Sequence, residues 1–214
     1  MTLPNFYEGN LSAISFTPRD YQVELLSAAK EKNIIICLPQ NAAKEFCALK
    51  LIQELSHELR SRENRKISLF LTSSPSAFNL IYYLTDLKAI NLNDLDEDVI
   101  EWENLFDYQV VILETELCLN ALECSLIDLN QVNLIIVDDC HRRTRKSDIS
   151  EIFLKHYKNA TVKPKVFGLA GPIHNAQCLP ARLGAELEHL ESLMKAKAET
   201  ASDIVTVLRY TELV

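Results

Sequence analysis

The chain has 214 residues, 48% hydrophobic and 24% charged, which describes a folded domain with one sizeable core and excludes a disordered chain. Its net charge of −8 excludes bulk attraction to nucleic acid, so any such role must rest on a local patch. No apolar run reaches transmembrane length, and the start, MTLPNFYEGN, lacks the basic-then-apolar pattern of a signal peptide, so neither is expected.

Residues 1–15 read as a loose N-terminal arm. Residues 19–32 read as a helix with apolar positions at 21, 25, 28 and 29. The run Ile34-Ile35-Ile36-Cys37-Leu38 reads as a buried strand. Ala48, Leu51, Ile52, Leu55 and Leu59 then form the stripe of an amphipathic helix. Residues 67–71 are a strand, and Ser74-Pro75 reads as an N-cap with proline at N1, opening a helix to about Leu84. Residues 87–90 are a weaker strand, followed by the acidic stretch 94–98, which reads as a solvated loop.

A strand at 110–113 leads to Thr115, a candidate helix cap. Residues 134–137 form another strand, ending in Asp138-Asp139. Residues 147–157 are helical, 166–169 are a strand, and Leu183, Leu187, Leu190 and Met194 mark a long late helix that packs on the core or on a neighbouring domain. Residues 204–208 are a final β-branched segment, and residues 211–214 a short tail. Strands apolar on both faces and separated by helices predict a parallel sheet covered on both sides. Six cysteines stand at 37, 47, 118, 124, 140 and 178 with no CxxC pair, so no metal site is expected, and free thiols fit a reducing, cytoplasmic setting.

Three segments carry a resemblance. FTPRDYQVELL (16–26) is similar to an adenine-reading entry motif, with Gln22 at the base-reading position. CLPQNAAKEF (37–46) stands where a phosphate loop belongs, between a strand and a helix. LIIVDDCH (134–141) stands where a Walker B motif belongs, with its Asp-Glu-Cys-His consensus. In this order they resemble the first RecA-like lobe of a superfamily-two RNA helicase. With FGLAGP (167–172) and ETASDIVTVLRY (199–210) added, the chain resembles the Dicer family over residues 16–210, and within it the microRNA-processing Dicer of insects. The resemblance implies a P-loop NTPase-type α/β fold, a parallel sheet with helices on both faces. It also implies that the family's chains continue past this one into an inserted helical domain.

The residues themselves argue against nucleotide chemistry. A phosphate loop uses glycines so that backbone N–H groups converge on oxyanions, a lysine for the β- and γ-phosphates, and a hydroxyl for Mg²⁺. Here the glycine positions hold Pro39, Asn41 and Ala43, and proline has no N–H to give. Lys44 remains, as a relic or as a lysine in the first turn of a helix. Glu45 stands at the hydroxyl position. A carboxylate about 4 Å from a phosphate charge costs about 4 kcal/mol at an effective dielectric of about 20, which is about a thousandfold in affinity. Asp138 is placed to face Mg²⁺, but the catalytic glutamate is Asp139. Shortening that side chain withdraws its carboxylate by about 1 Å from the water it should orient, which can cost about a hundredfold. Asp138 and His141 remain candidates for structural hydrogen bonding. The third motif, Ala170-Gly171-Pro172, lacks the hydroxyls of its active counterparts.

Gln22, Lys44, Asp138, Asp139 and His141 are thus the residues of a degenerate ATP site. ATP and Mg²⁺ binding are expected to be lost, with no catalytic residue in this chain. The basic run Arg142-Arg143-Thr144-Arg145-Lys146 is a candidate RNA contact or a solvated junction. The resemblance implies a parent RNase III endoribonuclease acting in RNA silencing. Its helicase-like part would help recognise a hairpin precursor and engage a double-stranded-RNA-binding partner, alongside the remaining Dicer domains and with no membrane. Two other readings stay open: an active ATP-dependent helicase lobe, and an interaction scaffold with no RNA contact.

Overall fold

The computed structural model describes residues 18–39, 42–61, 63–96, 99–142, 147–171 and 180–211. Seven strands form one sheet: β1 (Ile34–Cys37), β2 (Ile67–Leu71), β3 (Ala89–Asn91), β4 (Val110–Leu113), β5 (Val132–Val137), β6 (Lys165–Ala170) and β7 (Lys197–Glu199). Their order is β3-β4-β2-β5-β6-β1-β7, and every pairing is parallel. The helices between them are α1 (Asp20–Glu31), α2 (Lys44–Glu54), α3 (Ser56–Leu59), α4 (Ser76–Leu84), α5 (Thr115–Glu123), α6 (Asp148–Glu151), α7 (Pro180–Met194) and α8 (Ile204–Thr211). A π-helical segment, Ile152–Tyr157, continues α6. Among the described residues no helix is long and apolar enough to cross a membrane.

Alternate strand residues feed two cores, as the two-residue period of a strand requires. Ile35, Leu69, Leu71, Val111, Ile135 and Val137 face one side and pack with residues of α5, the α6–π segment and the end of α7. Ile34, Ile36, Phe70, Ile112, Leu134 and Ile136 face the other and pack with α1, α2, α4 and Val207 of α8. Strands buried on both faces explain the unbroken apolar runs in the sequence.

Gly168 of β6 marks the tightest approach: a Cβ there would lie 2.9 Å from Ile35 Cγ1 and 3.1 Å from Cys140 Sγ. One polar pair is buried within the sheet. Ser68 Oγ donates to Asn133 Oδ1 at 2.7 Å, and Asn133 Nδ2 reaches the Leu55 carbonyl where α2 gives way to α3.

The structure departs from the sequence reading at several elements. The β-branched segment at 204–208 forms α8, because Asp203 accepts the Thr206 N–H as a helix-start bond and Val207 buries itself in the core. Strand β7 is three residues long with an exposed lysine at its start, so no apolar run announces it. It aligns on β1 with Ala198 opposite Ile35. Thr115 is the first residue of α5 rather than its cap, and Glu114 precedes it. Helix α4 starts at Ser76 with Pro75, not Ser74, at its cap position and no side-chain cap bond, while the Ser74 hydroxyl accepts the Ser76 N–H at 3.3 Å. The N-terminal arm lies outside the described residues.

Candidate nucleotide and RNA site

In a parallel sheet the loops after the strands' C-terminal ends gather along one edge, and the motif residues do so here. After β1, the Leu38 N–H bonds the Ala170 carbonyl at 3.2 Å, tying this loop to the end of β6. Gln40 and Asn41 lie outside the described residues. The Ala42 N–H reaches back to the Pro39 carbonyl, and the buried Tyr21 hydroxyl donates to the Ala42 carbonyl at 3.1 Å. Ala43 has φ 49° and ψ 50°, the left-handed conformation that glycine adopts freely and alanine does not. The backbone here takes a glycine's conformation with an alanine in place.

Lys44 opens α2 half-buried. A Cβ placed on Gly171 would lie 3.3 Å from His141 Cε1 and 3.9 Å from Lys44 Nζ, so lysine and imidazole border the same backbone position. Lys44 forms no ion pair with a carboxylate among the described residues. Glu45, in the position of a magnesium-binding hydroxyl, accepts a 2.9 Å bond from the Ser76 hydroxyl at the start of α4. The Ser76 hydroxyl also lies 2.7 Å from that of Ser74.

After β5, Asp138 is held on both oxygens. Oδ2 accepts from the Thr72 hydroxyl at 2.9 Å, and Oδ1 accepts the Asp139 N–H at 2.9 Å. Asp139 has φ 47°, and its carboxylate pairs with Arg142 Nε at 3.4 Å. His141 Nδ1 accepts the Gly171 N–H at 3.3 Å. Burial holds the His141 pKa below its ordinary 6.5. The Asp139 carboxylate opposes that shift, while the Arg142 and Lys44 cations add to it. Burial likewise pushes the Cys37 thiol up to about 11, despite the nearby Lys44 charge. Gln22 is buried, and its carboxamide oxygen accepts the Arg19 N–H at 2.9 Å, so that oxygen closes the first turn of its own helix.

The structure thus brings Lys44, His141 and Gly171 together, sets Asp138 and Asp139 on the next loop along the edge, and leaves Gln22 beside α1's start. Of the expected RNA contacts, Arg142 is half-engaged by Asp139, and Arg143, Arg145 and Lys146 lie outside the described residues. Sequence reasoning missed Thr72, Ser76 and Asn93. Asn93 donates to the Thr72 carbonyl at 2.9 Å and accepts the Glu114 N–H at 2.7 Å, joining the loops after β2, β3 and β4. The polar run Thr72-Ser73-Ser74 directly after a buried strand was the available signal. A cleft of about 210 Å³ opens between Thr72, Ser74, Glu114, Asp138, Asp139 and Arg142. Among the described residues no three His, Cys, Asp or Glu side chains group as metal ligands.

A seven-stranded parallel sheet with helices on both faces and these motif loops along its C-terminal edge defines a RecA-like lobe of the P-loop NTPase type. The Hef helicase domain of Pyrococcus furiosus shares this fold, with a TM-score of 0.67 at 20% identity over 88% of this chain and 40% of that one. No family model matches the chain. It is 41% identical over 213 residues to Endoribonuclease Dcr-1 of Drosophila melanogaster, covering 95% of this chain and 9% of that protein. It is 33% identical over 205 residues to Endoribonuclease Dicer of Danio rerio, covering 91% of this chain and 11% of that protein. The chain belongs to the Dicer family, as a helicase-like lobe, and spans about a tenth of the length of these curated relatives.

Proposed function

We propose that this lobe serves a microRNA-processing, cytoplasmic Dicer as an RNA- and partner-recognition element whose ATPase site no longer works. The observation that carries the reading is the state of Glu45. Its carboxylate occupies the magnesium-hydroxyl position and is hydrogen-bonded to Ser76, at the helix start where a phosphate would sit. Pro39 removes one N–H from the cradle, and Asp139 replaces the water-orienting glutamate while pairing with Arg142. The residues present therefore do not fit ATP·Mg²⁺.

What remains useful is the loop edge itself. The Asp138–Thr72 bond, the Asn93 links and the His141–Gly171 bond join the loops after five strands to one another. A rigid edge followed by the basic run 142–146 suits contact with the phosphates of a hairpin precursor, and neighbouring faces suit a double-stranded-RNA-binding protein. The RNase III activity belongs in this reading to the parent protein's other domains.

Fluorescence anisotropy with a labelled hairpin RNA tests it. Binding should weaken steeply as salt rises, and should fall when Arg142, Arg143 and Arg145 are changed to Gln. Absence of binding would favour a scaffold without RNA contact, and binding that the triple change leaves intact would put the RNA surface elsewhere on the lobe. ATP turnover by the chain would revive the active-helicase reading.

A further inference from the structure

A cavity of about 530 Å³ opens at the sheet edge opposite the motif loops, bordered by Arg60, Ser61, Arg65, Lys88, Asp107 and Gln109. These residues precede β2, β3 and β4, whereas Lys44, Asp138 and Gly171 follow β1, β5 and β6. The two regions therefore lie at opposite ends of the strands.

Three cations line this cavity. Arg60 Nη2 pairs with Asp86 at 2.6 Å. Arg65 Nη2 donates to the Asp107 carbonyl at 3.2 Å, but its Nε is buried with no hydrogen-bond partner among the described residues. The Lys88 ammonium has no ion pair among the described residues, while its backbone N–H donates to Gln109. Asp107 is the carboxylate on the lining itself. Lys66 nearby is already paired with Glu58 at 3.1 Å. Arg62 lies outside the described residues.

We propose that this cavity binds a phosphate monoester carried on a protein segment. The Arg65 guanidinium borders the cavity, and a guanidinium fork matches the oxygens of a phosphate. A phosphate monoester carries close to two negative charges and three acceptor oxygens, which suits Arg65 and Lys88, the two lining cations without a carboxylate partner among the described residues. A nucleic-acid strand suits them less well. The chain carries a net charge of −8, and Asp86 and Asp107 interrupt the positive surface on which a polyanion would have to run.

The test is an amide-shift NMR titration of the full chain with inorganic phosphate at constant ionic strength, with chloride as control. A serine-phosphorylated peptide, its unphosphorylated form and a short single-stranded RNA follow. Phosphate, and not chloride, should give saturable shifts centred on Ser61, Arg65, Lys88 and Gln109. The phosphopeptide should bind more tightly than phosphate alone, and the unphosphorylated peptide should not bind. Arg65→Gln and Lys88→Gln should each weaken binding about tenfold, the loss expected for one charge-assisted contact. The exposed Lys88 variant decides alone if Arg65→Gln does not fold. Non-saturable shifts, an equal response to chloride, insensitivity to these changes, or RNA binding there more tightly than the phosphopeptide would overturn the proposal.

Discussion

Glu45 and Ser76, 31 residues apart in the sequence, are joined by a 2.9 Å hydrogen bond that ties the first turn of α2 to the first residue of α4. The carboxylate that would repel a triphosphate is therefore part of how two helices on one face of the sheet are held. Glu45→Thr, which returns a hydroxyl to the magnesium position, should not restore nucleotide binding. It should also lower stability by about 1.5 kcal/mol, the low end for a hydrogen bond to a charged group. Urea unfolding alongside an ATP titration reads both effects. A stabilised, ATP-binding Glu45→Thr variant would contradict this account of the site.

Ala43 supplies a second test. Its left-handed backbone costs an alanine about 1 kcal/mol, while glycine accepts it and loses part of that gain to unfolded-state entropy. Ala43→Gly should therefore stabilise the chain by about 0.5 kcal/mol, read as a raised urea midpoint with unchanged slope. A destabilised variant would mean that the alanine methyl packs usefully where the exposed position shows no need for it.

At Gly168 the opposite holds. A methyl group 2.9 Å from Ile35 Cγ1 and 3.1 Å from Cys140 Sγ must displace packed neighbours within the sheet. Gly168→Ala should cost about 1–3 kcal/mol in chemical denaturation, the range for overpacked cores.

His141 gives the fold a pH dependence of defined sign. Its folded-state pKa lies below the ordinary 6.5, chiefly through burial, and its Nδ1 must be unprotonated to accept the Gly171 N–H. Below 6.5 the unfolded chain binds the proton more readily than the folded chain, so this contribution to stability is full above 6.5 and is lost as pH falls toward the folded pKa. Unfolding free energies measured from neutral to mildly acidic pH should fall less steeply in His141→Gln than in the parent chain. Equal slopes would remove His141 as the cause.

Much of this was legible in the sequence because it was local. Apolar runs bounded by turn residues marked β1, β2, β4, β5 and β6, and Lys44 and Asp138 could be placed from the strands they follow. What the sequence hid was long-range or weakly patterned. The Glu45–Ser76, Thr72–Asp138 and Ser68–Asn133 bonds join residues 31, 66 and 65 apart, and no spacing rule announces such pairs. Gln22 was expected to read a base only through resemblance. Its bond to the Arg19 N–H, three residues back, is a helix-start signal that the same letters also carry. Residues 204–208, read only as a β-branched segment, are helical because a capping aspartate and one buried valine outweigh β-branched composition.

The most direct test is a calorimetric titration of ATP·Mg²⁺ into the folded chain, with Lys44→Ala as control. Neither protein should give heat of binding up to about millimolar nucleotide, since a repulsion of about 4 kcal/mol from Glu45 leaves too little binding free energy to fill the site. Micromolar binding by the parent chain, abolished by Lys44→Ala, would mean that the loop after β1 still cradles phosphate and that the degenerate-site reading is wrong.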